Sequence, residues 1–445
     1  MFFARSEKGR IFLTGVGNYI IKRAQSVEIV QKNTTRGMKM IEKFLSLSDA
    51  RKYSISQHEL ERRWKAVRER MATRGIDCLV VQSQQRYVGG YFRWFTDIPG
   101  ANYPITAIFP LEEEMTIIGH GPGAPAAPGN PPDWALRGVK EKINTPAFPN
   151  VWWEDAWDAE KAVEVIKRLK PKTVGFVGMG NVSASLYDNI NKGLRGVNIV
   201  NASDLVDEVR MVKSEEELGL HREAAYMHQM SYEVAKNAIR PGRTVSEVIT
   251  EIRFAQILAG SEEQQIAIMF GPLESFHQQQ HSWGNVYWRR KLKEGDIVNL
   301  LIESSMPGGY WYDLRRFLSI GPVPQELQEA HAIAAEAKRI MAANSKPGSL
   351  PVVALDASNS FLKEKGCPAE ARIAAHGQGL DLVERPVYHQ GEMAKFEVGM
   401  IVCLHPTAKT KNAMACLADT YVIAESGAVP LYRELFEDSE IAVVG

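Results

Sequence analysis

Apolar and polar positions fall into short runs that predict alternating helices and strands. Gln57–Gly75 (QHELERRWKAVRERMATRG) carries apolar residues at helical spacing and stops on a glycine, so it predicts an amphipathic helix. The apolar run Ile76–Gln82 predicts the strand after it. Strand-like runs recur at Ile105–Phe109, Met115–Ile118 and Thr173–Val177, with a helical pattern at Ala159–Leu169 between the last two. This alternation predicts an α/β domain ending near Ala202. Gly121–Pro132, rich in Gly, Pro and Ala, predicts a surface excursion. A long helical block runs from Ala202 to Ile239 and stops at Pro241-Gly242, after which strands and helices alternate to the end.

The most informative stretch is Gly295–Gly321, GDIVNLLIESSMPGGYWYDLRRFLSIG. It predicts two buried strands, apolar Ile297–Ile302 and then Tyr310–Ile320, joined at the Pro307–Gly309 break. Glu303 ends the first strand, and Asp313 lies in the second with Arg315 and Arg316 just after it. Two carboxylates facing each other across a hairpin suit a hard metal or a polar substrate. A solvated hairpin with ordinary charges is the plainer alternative.

Composition narrows the class. The 445 residues are 45% hydrophobic and 24% charged, with 53 basic against 53 acidic side chains, as in a soluble protein of two or three domains. Zero net charge gives no electrostatic case for nucleic acid or a membrane surface, and no apolar run is long enough to span a bilayer. Cys78, Cys367, Cys403 and Cys416 are scattered without CxxC or CxxH spacing, which predicts buried thiols of a reducing cytoplasm rather than disulfides or a zinc site. Residues 1–50 are expected to be a poorly ordered extension; Met38 and Met40 lie just before the first convincing helix, so the first 39 residues read as an over-long start.

Several segments, in order, resemble the creatinase/aminopeptidase P/methionine aminopeptidase superfamily, from about Gln57 to Val444. RGIDCLVV opens the amino domain, LVDEVRMVKSEEELGLHREAA is similar to the linker helix, and RPGRTVSEV and KLKEGDIVNL are similar to the turn and strand after it. GGYWYDLRRFLSIG resembles the "GY.sD.tRT..vG" hairpin, AAHGQGLDLVERP the "gHGiGl..hE.P" segment, FEVGMIVCLHP the "GM…eP" strand, and ADTYVIAESG the "iEDt" segment. The resemblance implies a creatinase-like amino-terminal α/β domain over residues 51–202, followed by a pita-bread catalytic domain over 203–445.

Peptidases of this superfamily hold two metal ions with two Asp, one His and two Glu. Carried over, the second Asp is Asp313 and the His is His376, while the first Asp falls on Ile302 with Glu303 one place later. The first Glu falls on His405 and the second on Ala418, with Asp419 following. A dinuclear site needs a bridging carboxylate, so at most one ion is expected. One reading is a metal-free site like that of creatinase. The other is a single Fe, Mn or Zn ion held by Asp313, His376 and His405, with Glu303 as a further candidate; the superfamily's mononuclear-iron lyase acting on dimethylsulfoniopropionate is a precedent. His405 as a core histidine is the plainer alternative.

The segment GPLESFHQQQHSWGNVYWRRKLKEGD holds His277 and His281, with Trp283, Tyr287 and Trp288 behind them. By resemblance one histidine here projects over the substrate as a proton shuttle; His281 is assigned that role, with His277 in reserve. The segment Arg86–Phe95 matches the place where creatinase-like dimers send aromatic and arginine residues into the partner's cleft, so Tyr91, Arg93 and Trp94 are expected to cap the substrate. Glu384 and Arg316 are expected to orient the polar centre. The best reading is a cytoplasmic, homodimeric small-metabolite hydrolase or lyase acting on an amidine, amide or betaine-like carboxylate. A metal-dependent Xaa-Pro dipeptidase and a non-catalytic binding protein are the alternatives.

Overall fold

The protein's structure, a computed structural model, describes residues 53–83, 89–99, 103–121, 136–146, 151, 153, 155–276, 290–306, 308–431 and 440–445. The expected extension 1–50, the segment Arg86–Val88 and the loop holding His277 and His281 lie outside the described residues.

Helix α1 (Gln57–Arg74) begins on Ser56, whose side chain accepts from the Glu59 amide, and ends on Gly75 in the left-handed conformation. Strands β1 (Cys78–Ser83), β2 (Ile105–Pro110), β3 (Met115–His120), β4 (Val139–Thr145), β5 (Thr173–Val177) and β6 (Asn198–Asn201) form one sheet in the order β4-β3-β2-β1-β5-β6. The sequence pattern missed β4, whose residues are half-buried or exposed, and β6, a four-residue edge strand. Helices α2 (Gly90–Thr96), α3 (Asp155–Leu169) and α4 (Ala184–Gly193) lie between these strands in sequence. Leu79, Val81, Ala107 and Phe109 build one core with α1 and α2, while Cys78, Val80, Ile108 and Phe176 build another with α3 and α4.

The helical block from Ala202 to Ile239 is two helices, α5 (Ser203–Arg210) and α6 (Glu215–Ala238). The break has a local cause. Ser214 and Glu217 form a reciprocal capping box that starts a new helix, and Val212 bridges to Met400. After α7 (Val245–Leu258), strands β7 (Glu263–Gly271), β8 (Ile297–Ser305) and β9 (Trp311–Ile320) build a second sheet, which the carboxy-terminal β17 (Ala442–Val444) joins in the order β17-β9-β8-β7. Two helices, α8 (Gln325–Asn344) and α9 (Pro351–Glu364), then precede a third sheet. It contains β10 (Ala375–Gly377), β11 (Glu384–Val387), β12 (Ile401–Leu404), β15 (Asp419–Ala424) and β16 (Gly427–Pro430) in the order β11-β10-β12-β15-β16. A small hairpin of β13 (Thr407–Lys409) and β14 (Met414–Cys416) completes the strands. The second and third sheets meet where the Arg315 amide donates to the Ala418 carbonyl at 3.1 Å and the Asp313 amide donates to the Thr420 hydroxyl at 3.3 Å.

Candidate functional site

Strand register assembles the site. Glu303 on β8 and Asp313 on β9 are directly paired, so their side chains leave one face of the hairpin together. In the third sheet, His376 on β10 pairs with Cys403 on β12. His405 follows Cys403 by two positions and continues the strand line, its amide donating to the Ala374 carbonyl at 2.8 Å. Period-two alternation therefore puts His376, Cys403 and His405 together, with ligand atoms all within 4.8 Å of one another. Asp313 closes the group: Cys403 Sγ donates to its Oδ2 at 3.2 Å, and His376 Nε2 lies 4.0 Å from that oxygen.

The chemistry of these atoms fits a cation. His376 Nδ1 lies 2.9 Å from the Gly377 carbonyl, so Nδ1 carries the proton and the Nε2 lone pair faces Asp313. Their 4.0 Å separation exceeds a hydrogen bond and leaves the imidazole lone pair and the carboxylate facing each other unbonded. Asp313 Oδ1 is buried without a hydrogen-bond partner among the described residues. Burial, and then the charge of Glu303, push the Asp313 carboxyl well above the usual carboxylate range. Glu303 is raised to about 7 by burial, which Arg315 partly opposes. Burial, followed by the neighbouring His376, pushes His405 well below its ordinary range and keeps it neutral, as a ligand requires. Two imidazoles, a thiol and a carboxylate converge on one region.

The lost peptidase ligands are filled by apolar side chains. Ile302 is fully buried opposite Leu314, and Ala418 is 2% exposed. Asp419 does not replace the missing glutamate. Arg316 Nη2 binds its Oδ1 at 2.5 Å, and Lys338 holds Oδ2. Arg316, expected to orient the centre, thus spends its charge on Asp419 and donates to the Ala418 carbonyl at 3.1 Å.

Glu384 lies opposite Gly377, next to His376, but its carboxylate is bound by Arg210, by Lys213 at 2.9 Å and by the Asp381 amide at 3.0 Å. Burial opposes its ionisation, yet Arg210 and then Lys213 outweigh it and hold Glu384 down at about 2. It is a permanent anion in an ion network rather than a proton carrier.

The expected substrate cap is occupied inside the chain. The Tyr91 hydroxyl donates to Asp207 at 2.7 Å with the Arg210 guanidinium 4.4 Å over its ring. Arg93 forms a forked ion pair with Glu262, one arm at 3.0 Å. Trp94 is 1% exposed, with Arg63 stacked 5.1 Å from its ring centre. A cap must be exposed before a partner arrives, and these three side chains pack within their own chain instead.

Cys403 was missed because cysteine spacing along the sequence is silent about strand pairing. Its only signal was the alternation Cys403-x-His405 at the end of an apolar run. Arg315 was passed over as one of two adjacent arginines. Its Nη1 donates to Cys416 Sγ at 3.0 Å, and burial's upward push on the Cys416 thiol is overcome by Arg315 and then Arg372.

Two family models match consecutive parts of the chain: the creatinase/prolidase N-terminal domain over residues 63–212 and metallopeptidase family M24 over residues 219–425. The probable dipeptidase PepE of Mycobacterium tuberculosis is 29% identical over 238 residues, which cover 53% of this chain and 62% of that protein. The Xaa-Pro dipeptidase of Pyrococcus horikoshii is 21% identical over 264 residues, 58% of this chain and 74% of that one. Among solved structures, the Xaa-Pro dipeptidase from Bacillus anthracis superposes with a TM-score of 0.69 at 18% identity, covering 86% of this chain and all of that one. The dipeptidase PepE from Mycobacterium ulcerans gives 0.68 at 20% identity, covering 88% and 99%.

Proposed function

The chain belongs to the creatinase/M24 pita-bread superfamily, and from that premise we propose that it is a peptidase-like hydrolase of short peptide or amide C–N bonds that works with one divalent metal ion. The relatives named as dipeptidases support the reaction class, and the convergence of His376, Cys403, His405 and Asp313 supports the single ion. The observation that carries the reading is the buried, unpartnered Asp313 Oδ1 beside a neutral imidazole lone pair. A thiolate and two imidazoles favour zinc or iron over manganese.

When bound, the cation would supply Lewis acidity toward the scissile carbonyl and acidify a water molecule. The chain's own groups divide the remaining work. Asp313, His376, Cys403 and His405 hold the centre, and the Gly377 carbonyl fixes the His376 tautomer. Glu303, whose carboxylate makes no hydrogen bond among the described residues, is positioned to take a proton there and return it to the departing nitrogen. Ile302 and Ala418 fill the positions a second ion's ligands would need.

Elemental analysis of the purified full chain, with assays on Xaa-Pro dipeptides, other dipeptides, amidines and betaine-like carboxylates, tests the proposal. One metal equivalent and chelator-sensitive dipeptide hydrolysis are expected. Two tightly held equivalents, or turnover of betaine-like carboxylates alone, would overturn it.

A further inference from the structure

The site contains a cation of its own. Arg315 follows Asp313 by two residues on β9, so its side chain leaves the same face about 7 Å along the strand. Its cross-strand partner is Leu301, two residues from Glu303. Arg315 is 6% exposed and forms no direct ion pair with a carboxylate among the described residues. Nη1 is spent on Cys416 Sγ, and Nε is buried without a hydrogen-bond partner. The Arg315 amide donates to the Ala418 carbonyl at 3.1 Å, and the Ala418 amide returns a bond to the Arg315 carbonyl at 3.4 Å. A fixed guanidinium and the two carboxylates therefore share one largely buried face without neutralising each other by contact. The field of Arg315 offsets part of the upward push that burial exerts on Asp313 and on Glu303.

We infer that Arg315 takes the electrostatic place of a second metal ion and limits this centre to one divalent cation. The inference rests on the single-metal reading above and deepens it. With Arg372 and Cys416 set against each other at 3.9 Å, Asp313, Glu303 and a metal-bound Cys403 thiolate carry three negative charges, and Arg315 with one dication carries three positive ones. A second dication leaves two uncompensated positive charges in a buried site, where each costs several kcal/mol. Ile302 and Ala418 remove ligands, whereas Arg315 removes the need for the ion.

The test counts metal, not turnover. Full-length wild-type, Arg315→Gln and Arg315→Lys proteins, each shown to be folded by thermal melting, are stripped with chelator and reloaded with excess Zn(II) or Mn(II). They are then desalted, analysed for equivalents per chain and titrated for affinity against a metal indicator. One equivalent on wild type and Arg315→Lys is expected. Arg315→Gln should take a second equivalent or hold the first about tenfold or more tightly. Arg315→Met replaces the glutamine variant if that one fails to fold. Two equivalents on wild type overturn both this inference and the single-metal reading. One equivalent on wild type and on the neutral variant, with affinities within about twofold, overturns the role of Arg315 alone. No metal on wild type but one on the neutral variant removes the single-metal reading and, with it, the inference that Arg315 limits this centre to one ion. No metal on any protein overturns both.

Discussion

At the residue scale, Asp313 marks a trade between stability and binding. Its folded carboxyl is raised by burial and by Glu303, and Glu303 itself is raised to about 7. A raised carboxyl contributes stability at low pH that is lost as pH rises through the folded value. Metal-free protein is therefore expected to melt lower at pH 8 than at pH 6.5. Asp313→Asn keeps the shape and removes one charge, so it should flatten this slope, raise the metal-free melting temperature at pH 8, and weaken metal binding about tenfold or more. A variant melting below wild type at pH 8 would contradict this account. Cys403→Ser removes the soft, ionisable sulfur from one ligand position and keeps its shape. It should leave the melt of the metal-free protein within about 1 kcal/mol and lower zinc affinity about 10–100-fold, as read by competition titration. Asp313, His376 and His405 could be picked out as candidates because the hairpin and strand motifs around them carry their spacing. Cys403 was not, since its partners are 27 residues back in sequence at His376 and 90 back at Asp313.

At the element scale, the β8–β9 hairpin is the part on which the site depends. Its turn places Gly308 at φ 87° and Gly309 at φ 82°, a region that L side chains avoid. A Cβ on Gly309 would also stand 2.2 Å from the Arg93 guanidinium that binds Glu262. Gly309→Ala should therefore cost about 1–3 kcal/mol. Gly219→Ala, inside α6 with open space around it, should be neutral or stabilise by about 0.5–1 kcal/mol. Equal melting temperatures for the two variants would remove the strain argument. The hairpin itself was legible, because an apolar run, a Pro-Gly-Gly break and a second apolar run have few other solutions. The division of the long helical block into α5 and α6 was harder to read. Both halves have helical periodicity, and only the capping box at Ser214 interrupts it.

At the scale of the molecule, buried ions join the amino-terminal sheet region to the catalytic strands. Arg210 at the end of α5 binds Asp381 at 2.6 Å and also Glu384, while the Asp381 carboxylate accepts from the Gly90 amide at 2.9 Å at the start of α2. Arg210→Ala leaves two buried carboxylates with Lys213 as the nearest cation and should cost about 3–5 kcal/mol. Denaturant unfolding would read that loss directly, and a change below about 1 kcal/mol would show the network to be energetically idle. The acid limit is set elsewhere. Burial lowers His221 from 6.5 to about 3 and His228 to about 4. Such groups contribute stability above their unfolded value that is lost as pH falls toward the folded one. Stability should decline from pH 6.5 downward, less steeply in His228→Phe, and pH-dependent melting curves check it.

By itself, the sequence determined the alternation of helices and strands, the hairpin with its facing carboxylates, and the superfamily resemblance, because each is written in local periodicity or in ordered motifs. Tertiary structure decided which side chains those strands bring to one point. Strand register placed Cys403 opposite His376 and Arg315 beside the carboxylates. Packing turned Tyr91, Arg93 and Trp94 from a presumed cap into contacts within the chain, and it gave Arg316 and Glu384 to ion networks. Periodicity fixes which face of a strand a residue occupies. Only the pairing of strands distant in sequence fixes what stands across from it, and the buried charges there have energies that depend on those neighbours.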